Sequence, residues 1–152
     1  MTEDETFMSL ALDEARAAAA EGETPVGAVI VRGGEVIASA HNTRERSKNA
    51  LHHAEILCID RACRRLGGWR LPGCALYVTL EPCPMCAGAV INSRIERVVF
   101  GARDGKAGSF GSVTDLSALP YNHRPEITGG VLAEECAALL SDFFTGLRSK
   151  QK

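Results

Sequence analysis

Residues 75–92, ALYVTLEPCPMCAGAVIN, place an apolar strand directly before a helix. Ala75–Leu80 has little polar interruption, which is typical of a strand at the centre of a sheet. Pro82 predicts the start of a helix that continues to Asn92, because proline is well tolerated in the first turn of a helix. A further strand follows at Arg97–Phe100, so this region predicts a sheet whose strands alternate with helices.

The segments on the N-terminal side of this stretch predict two helices and a hairpin. Thr2 and Glu5 have the spacing of a capping box, which opens a helix that Gly22 ends. Two β-rich runs follow, and two glycines between such runs predict a tight hairpin. The runs are Val26–Arg32 and Glu35–Ala40, joined by Gly33-Gly34, and a second helix over Ala50–Leu66 ends at Gly67-Gly68.

The segments on the C-terminal side are more irregular. Gly101–Pro125 is rich in Gly, Ser, Asp and Asn, which predicts a loop with one helical turn. A short strand within Glu126–Leu132 and an amphipathic helix over Ala133–Leu147 complete the chain. The order of elements predicts the α/β class, as a three-layer α-β-α domain with a mixed sheet. We expect one domain over residues 1–152, with its core at about 6–148.

Composition excludes several classes of protein. The chain has 152 residues, 45% of them hydrophobic, and a net charge of −2, which argues against a polybasic protein and against a disordered acidic tail. Its apolar stretches are too short to cross a bilayer, and its acidic start lacks the pattern of a secretory signal. We therefore expect a soluble, cytoplasmic protein without membrane association, in which the six cysteines are thiols or metal ligands before disulfides.

The residues that indicate chemistry are His53-Ala54-Glu55 and Pro82-Cys83-Pro84-Met85-Cys86. Cys83 and Cys86 lie three apart at a predicted helix start, so both sulfurs project from one face. With His53 at the start of another helix, they offer one nitrogen and two sulfurs to a metal. Three protein ligands leave a fourth position open, which is the catalytic type of zinc site. Glu55 then lies where a carboxylate can shuttle protons beside the metal's water.

Other interpretations of these residues stay open. The cysteines can instead belong to a closed structural zinc site with a further cysteine, or form a disulfide with each other. His52 adjoins the expected ligand, although only His53 has a glutamate two residues later. The remaining cysteines have spacings that suit neither a zinc knuckle nor a redox pair, so we expect small core residues at Cys58, Cys63, Cys74 and Cys136.

The combination of His-x-Glu with Pro-Cys-x-x-Cys matches the established signature of zinc nucleobase deaminases. Further stretches resemble the bacterial tRNA-specific adenosine deaminases, a branch of the cytidine-deaminase-like superfamily, from the first helix to about Arg148. These stretches are Pro25–Ala28, Tyr77–Ala89, Ser93–Ile95, Val98–Asp104, Asn122–Arg124 and Glu134–Phe144.

This resemblance implies a five-stranded sheet, a homodimer, and conversion of adenosine to inosine at wobble position 34 of tRNA. It implies one Zn²⁺ per subunit, held by His53, Cys83 and Cys86, with Glu55 as the catalytic proton shuttle. The expected partner is the anticodon loop, in particular that of an arginine tRNA with an ACG anticodon. Substrate contacts are implied at Asn42, Ala54, Asp104, Asn122 and Phe144, and Asp104 is expected to read a ribose 2′-hydroxyl.

Two basic clusters are candidates for contacts with RNA phosphates. The first comprises Arg44, Arg46 and Lys48, and the second comprises Arg148, Lys150 and Lys152. Two other functions compete with tRNA editing: deamination of a free base or nucleoside (guanine, cytosine or cytidine) at the same site, and RNA binding by a zinc-stabilised module without catalysis. Glu55 and an open metal position argue against the second of these functions, because a structural metal requires neither.

Overall fold

The computed structural model describes residues 1–150, without the side chain of Lys150. Five strands form one sheet in the order β2-β1-β3-β4-β5, in which β3 is central. β1 pairs antiparallel with both neighbours, whereas β3, β4 and β5 run parallel, so the expected mixed five-stranded sheet is confirmed. The strands are β1 (Gly27–Arg32), β2 (Glu35–His41), β3 (Cys74–Leu80), β4 (Arg97–Ala102) and β5 (Glu126–Gly129).

Helices cover both faces of the sheet and form two cores. One core packs α3 and α4 against one face, and the other packs α1 and α5 against the opposite face. The expected three layers are therefore confirmed. The helices are α1 (Glu3–Ala20), α2 (Arg44–Ser47), α3 (Ala54–Leu66), α4 (Pro84–Ser93) and α5 (Ala133–Lys150), with a 3₁₀ turn at Leu116–Ala118.

Several predicted boundaries were wrong for local reasons. The helix expected from Ala50 begins at Ala54, because His53 is its N-cap with an extended backbone. The helix expected from Pro82 begins at Pro84, because Cys83 is the N-cap there. In contrast, the short strand expected within Glu126–Leu132 is confirmed as β5, which ends at Gly129 because the next glycine has a positive φ. The short helix α2 was not predicted at all, and α5 continues past Leu147.

The start of α1 is fastened to the sheet by one carboxylate. Asp4 accepts two hydrogen bonds from the Arg97 guanidinium, at 2.8 and 2.7 Å, and a third from the Tyr77 hydroxyl at 2.8 Å. The hydrogen bonds from Arg97 are the main cause that lowers the pKa of Asp4, and they outweigh the opposing effect of burial. This contact therefore ties α1 to β3 and β4.

We expect Asp4→Asn to lower the free energy of unfolding at pH 7 by about 1.5–3 kcal/mol, since hydrogen bonds to a charged group are lost. Because the pKa of Asp4 is lower in the folded protein than in the unfolded chain, the stabilisation is present above about pH 4 and disappears as the pH falls through the lowered pKa. Urea unfolding of both proteins at pH 7 and pH 3 checks this. A difference that is equally large at pH 3 contradicts the prediction.

The edge strand β2 is covered by arginines from α3. Arg61 donates a hydrogen bond to the carbonyl of Ser39 at 2.6 Å, and Arg65 donates to the carbonyls of Val36 and Ile37 at 3.3 Å. Arg65 also pairs with the Glu35 carboxylate at 2.8 Å. The long side chains of α3 thus contact the backbone at this edge of the sheet.

None of the described helices is both long and apolar enough to cross a membrane.

Candidate active site

Two helix N-termini meet at the carboxyl end of β3. His53 is the N-cap residue of α3 and Cys83 is the N-cap residue of α4, while Cys86 lies in the first turn of α4. Neither N-cap side chain makes a standard capping hydrogen bond, and the His53 imidazole lies against the Cys83 thiol. The convergence of two helix starts, expected from the sequence, is present.

The three side chains have the spacing that a bound metal requires. The Nδ1 atom of His53 lies 3.6 Å from the Sγ atom of Cys83 and 3.6 Å from that of Cys86. A tetrahedral zinc ion bonded to nitrogen at about 2.05 Å and to sulfur at about 2.3 Å holds those two atoms about 3.6 Å apart. This group can therefore hold a metal ion, and within residues 1–150 it comprises these three residues alone.

The electrostatics of the group favour a thiolate ligand. The hydrogen bond from the Cys86 thiol, helped by His53, lowers the pKa of Cys83 to about 4 although burial opposes this. The same contact with Cys83, together with burial, raises the pKa of Cys86. The hydrogen bond between His53 and Cys83 raises the pKa of His53. A divalent cation would replace the shared proton and let both sulfurs ionise.

Glu55 is a buried carboxyl group beside these ligands. Its side chain is 4% exposed, and burial raises its pKa to about 7. It lies in the first turn of α3, two residues after His53, and it lines the same pocket as His53 and Cys83. A carboxyl group in this position can hold or release a proton next to a molecule in the pocket.

The pocket has a volume of about 190 Å³ and brings together most of the residues predicted from the sequence. Asn42, Ala54 and Asp104 line it together with Glu55. Sequence reasoning assigned no role to the other neutral or acidic lining residues, which are Thr24, Val26, Leu80, Glu81 and Ala107. Arg44, predicted as a phosphate contact, also lines the pocket, and its side chain is half exposed.

One wall of the pocket depends on a second buried carboxylate, Glu23. Its oxygens accept hydrogen bonds from the backbone N–H groups of Glu45 and Arg46, at 3.0 and 2.7 Å. Asn42 is held by its Oδ1 atom, which accepts from the N–H of Arg44, and by its Nδ2 atom, which donates to the carbonyl of Thr24. The unpredicted helix α2 therefore keeps Asn42 and Arg44 at the pocket.

Asn122 and Phe144 do not line this pocket. The neighbour of Asn122, His123, contacts the carbonyl of Ile95 at 2.6 Å, just before β4 begins, which is the end of the sheet opposite the pocket. Phe144 is 41% exposed on α5 and packs edge-to-face against Phe143. Substrate contacts at Asn122 and Phe144 stay predictions, and Lys152 lies outside the described residues.

The other cysteines occupy the positions expected of core residues. Cys58, Cys74 and Cys136 are buried, Cys63 is half-buried, and all six thiols are free. Burial is the main cause that raises the pKa of each of these four thiols. The expectation of small core residues is confirmed, and Cys83 and Cys86 are not joined by a disulfide.

His52 is not part of the metal-binding group. Its Nε2 atom lies 3.2 Å from the Nδ2 atom of Asn49, so the ring belongs to the turn before α3. We expect His52→Ala to keep one metal per chain, measured by elemental analysis after exhaustive dialysis. A metal-free His52→Ala protein alongside a metal-replete His53→Ala protein would reverse the assignment of the ligand.

Residues 2–148 match the model of the MafB19-like deaminase family. The chain is 55% identical to the tRNA-specific adenosine deaminase of Bacillus subtilis (strain 168), covering 100% of this chain and 95% of that protein. A solved structure from a study of A-to-I editing by tRNA:A34 deaminases superposes with a TM-score of 0.86 at 45% identity, covering 89% of this chain and 99% of that chain.

A guanine deaminase from Bacillus subtilis is more distant. Its crystal structure superposes with a TM-score of 0.65 at 32% identity, over 95% of this chain and 93% of that one. The free-base deaminases thus share the fold with lower similarity, and the resemblance seen in the sequence motifs is confirmed over nearly the whole chain. The chain belongs to the MafB19-like deaminases and, among them, to the tRNA-specific adenosine deaminases.

Proposed function

We propose that this protein is a zinc-dependent hydrolase that converts adenosine to inosine at wobble position 34 in the anticodon loop of tRNA. The observation that carries the proposal is the buried Glu55 beside His53, Cys83 and Cys86, whose nitrogen and sulfur atoms are donor types that bind zinc. A structural zinc site has four protein ligands and needs no neighbouring acid. The proposed site is therefore catalytic, with one zinc ion per subunit in a single domain.

His53, Cys83 and Cys86 would hold the zinc ion. When bound, zinc supplies a Lewis acid that lowers the pKa of a water from 15.7 to roughly 7, so that hydroxide is available at neutral pH. The protein's own contribution to proton transfer is assigned to Glu55. Its elevated pKa, about 7, suits a group that both accepts and donates protons near neutrality.

Glu55 serves twice in the proposed reaction. It takes a proton from the attacking water and delivers it to N1 of the adenine while the C6–O bond forms. It then takes the proton of the new C6 hydroxyl group and passes it to the exocyclic amine, so that the C6–N bond breaks, C6 becomes a carbonyl and ammonia leaves. The net change is adenosine plus water to inosine plus ammonia, so no other reactant is needed.

The rest of the pocket would hold an unstacked adenosine. Asn42 is fixed on both sides of its amide and presents its remaining hydrogen-bonding capacity to the base, and Ala54 closes the buried side. The Oδ1 atom of Asp104 accepts hydrogen bonds from the N–H groups of Lys106 and Ala107. Its other oxygen is assigned to a ribose 2′-hydroxyl, which would favour RNA over DNA.

Contacts outside the pocket are assigned to the anticodon loop. Arg44 and Arg46 lie on α2 beside the pocket, where their exposed guanidinium groups can meet phosphates. An arginine tRNA with an ACG anticodon is the proposed substrate, and a tRNA substrate places the reaction in the cytoplasm. A homodimer is part of the proposal because the family resemblance implies one, and the exposed apolar side chains of Leu51, Leu119 and Tyr121 are candidates for its contacts.

The test compares substrates on the zinc-loaded protein. An arginine tRNA with an ACG anticodon, free adenosine, guanine, cytosine and cytidine are each incubated, with inosine at position 34 and released ammonia as readouts. We expect inosine in the tRNA and no turnover of the free compounds. Turnover of guanine with inert tRNA would make the protein a free-base deaminase, and tRNA binding without any turnover would make it a non-catalytic RNA-binding module.

A further inference from the structure

Glu81 is a buried carboxylate with no role in the reaction described above. It follows β3 directly, is 1% exposed, and both of its oxygens are engaged. Oε1 accepts hydrogen bonds from the N–H of Asp104 at 3.1 Å and from the hydroxyl of Ser112. Oε2 accepts from the N–H groups of Phe110 and Ser112 at 3.2 and 3.0 Å.

All four donors belong to one loop, which we call the 104–112 wall. The loop closes on the carboxylate so tightly that a Cβ atom on Gly108 would lie 2.4 Å from Cδ of Glu81 and 2.4 Å from the carbonyl oxygen of Asp104. The N–H of Ser109 donates to the carbonyl of Pro82 at 2.9 Å, so the wall is also joined to the segment that leads into α4. A polar loop is thus folded around one buried negative charge.

The wall forms one side of the pocket. Asp104 and Ala107 line it together with Asn42 and Arg44. The carboxylate of Asp104 is itself held by the N–H groups of Lys106 and Ala107, at 3.0 and 3.3 Å. The placement of both lining residues therefore depends on a loop whose hydrogen bonds converge on Glu81.

We propose that Glu81 is a positioning residue: it holds the 104–112 wall at the pocket and thereby sets the affinity for the substrate nucleotide. Glu81 itself lines the pocket, but its acceptor positions are occupied by the wall, so it acts through Asp104 and Ala107 and exchanges no proton with the reacting base. The identity of the substrate in this inference rests on the proposed function, whereas the hydrogen bonds between Glu81 and the wall do not depend on it. Removing the charge should therefore weaken substrate binding more than it slows the chemical step.

Glu81→Gln tests this, because it keeps the size of the side chain and replaces one acceptor by an NH₂ group that faces donors. With an anticodon stem-loop RNA that carries a wobble adenosine, we expect KM to rise about 10- to 100-fold and kcat to stay within about threefold. Metal content stays at the wild-type value. The amides of Asp104, Phe110 and Ser112 exchange with solvent at least about tenfold faster, measured by NMR.

Asp4→Asn is the control for a general loss of stability, since Asp4 lies at the other end of the sheet; its KM and the exchange of the three amides should match wild type. If Glu81→Gln does not fold, Ser112→Ala removes one donor to Glu81, and Ser112→Thr keeps it. Ser112→Ala should then raise KM and speed exchange, and Ser112→Thr should not.

Wild-type KM and wild-type amide exchange in Glu81→Gln would overturn the proposal, as would equal effects of Ser112→Ala and Ser112→Thr. A fall in kcat with unchanged KM would also overturn it, because Glu81 would then act on the chemical step. If the wild-type protein fails to deaminate the RNA, the proposed function fails. The amide exchange still decides whether Glu81 holds the wall.

Discussion

Glu55→Ala should abolish deamination while the protein keeps its metal. General acid–base catalysis contributes about 10²–10⁴-fold to a rate, and Glu55 is assigned two proton transfers in the same cycle. We therefore expect turnover to fall by at least about 10³-fold. Metal content should stay at one per chain, because the metal-binding group consists of His53, Cys83 and Cys86 without Glu55.

Glu55→Gln is the matched variant for this experiment. It keeps the volume of the buried side chain, which is 4% exposed, and removes only the ability to exchange a proton near neutral pH. We expect it to be as inactive as Glu55→Ala, with inosine formation measured on the stem-loop RNA and metal measured by elemental analysis. Loss of the metal in both variants would make Glu55 a ligand, and an active Glu55→Gln protein would remove it from the reaction.

Cys83→Ser should lose both the metal and much of the protein's stability. A serine hydroxyl has nearly the shape of the thiol but does not ionise near neutral pH. The His53 nitrogen and the Cys86 sulfur are then left without a third metal ligand. A metal present at about a thousand times its Kd stabilises a fold by about 4 kcal/mol. At about 2–4 °C per kcal/mol for a chain of this size, the expected fall in Tm is roughly 8–16 °C.

Cys63→Ser is the control for Cys83→Ser, since Cys63 is a half-buried thiol outside the metal-binding group. It should keep its metal and unfold close to the wild-type Tm. A chelator should lower the Tm of wild type and of Cys63→Ser toward that of Cys83→Ser, and leave Cys83→Ser itself unchanged. An active Cys83→Ser protein with a full complement of zinc would overturn the ligand assignment.

The parts of the fold that were predictable depend on local patterns. The Gly33-Gly34 hairpin and the apolar run that became β3 each carry their signal within a few residues. The metal-binding group was predictable for the same reason, because the His-x-Glu and Pro-Cys-x-x-Cys motifs that supply its ligands are each complete within a few residues. Such signals need no knowledge of what lies elsewhere in the chain.

The parts that were missed depend on contacts between distant segments. Nothing near Glu81 in the sequence shows that a loop more than twenty residues later folds around it, and Glu23 likewise holds α2 from a distance. Asn122 matched a family motif, but β5 runs parallel to β4, so the chain must return to the far end of the sheet before β5 begins. That return places Asn122 away from the pocket of its own chain.

The arginines that cover β2 also affect the tendency of the protein to aggregate at high concentration. An open strand edge is a template on which other chains can add strands, and natural proteins block such edges with charged side chains. Here Arg61 and Arg65 already donate hydrogen bonds to carbonyl groups of β2. A strand from another chain would have to displace these two charged side chains before it could hydrogen-bond there. Helix α3, which carries His53 and Glu55 at one end, therefore also protects the open edge of β2 against the addition of strands from other chains.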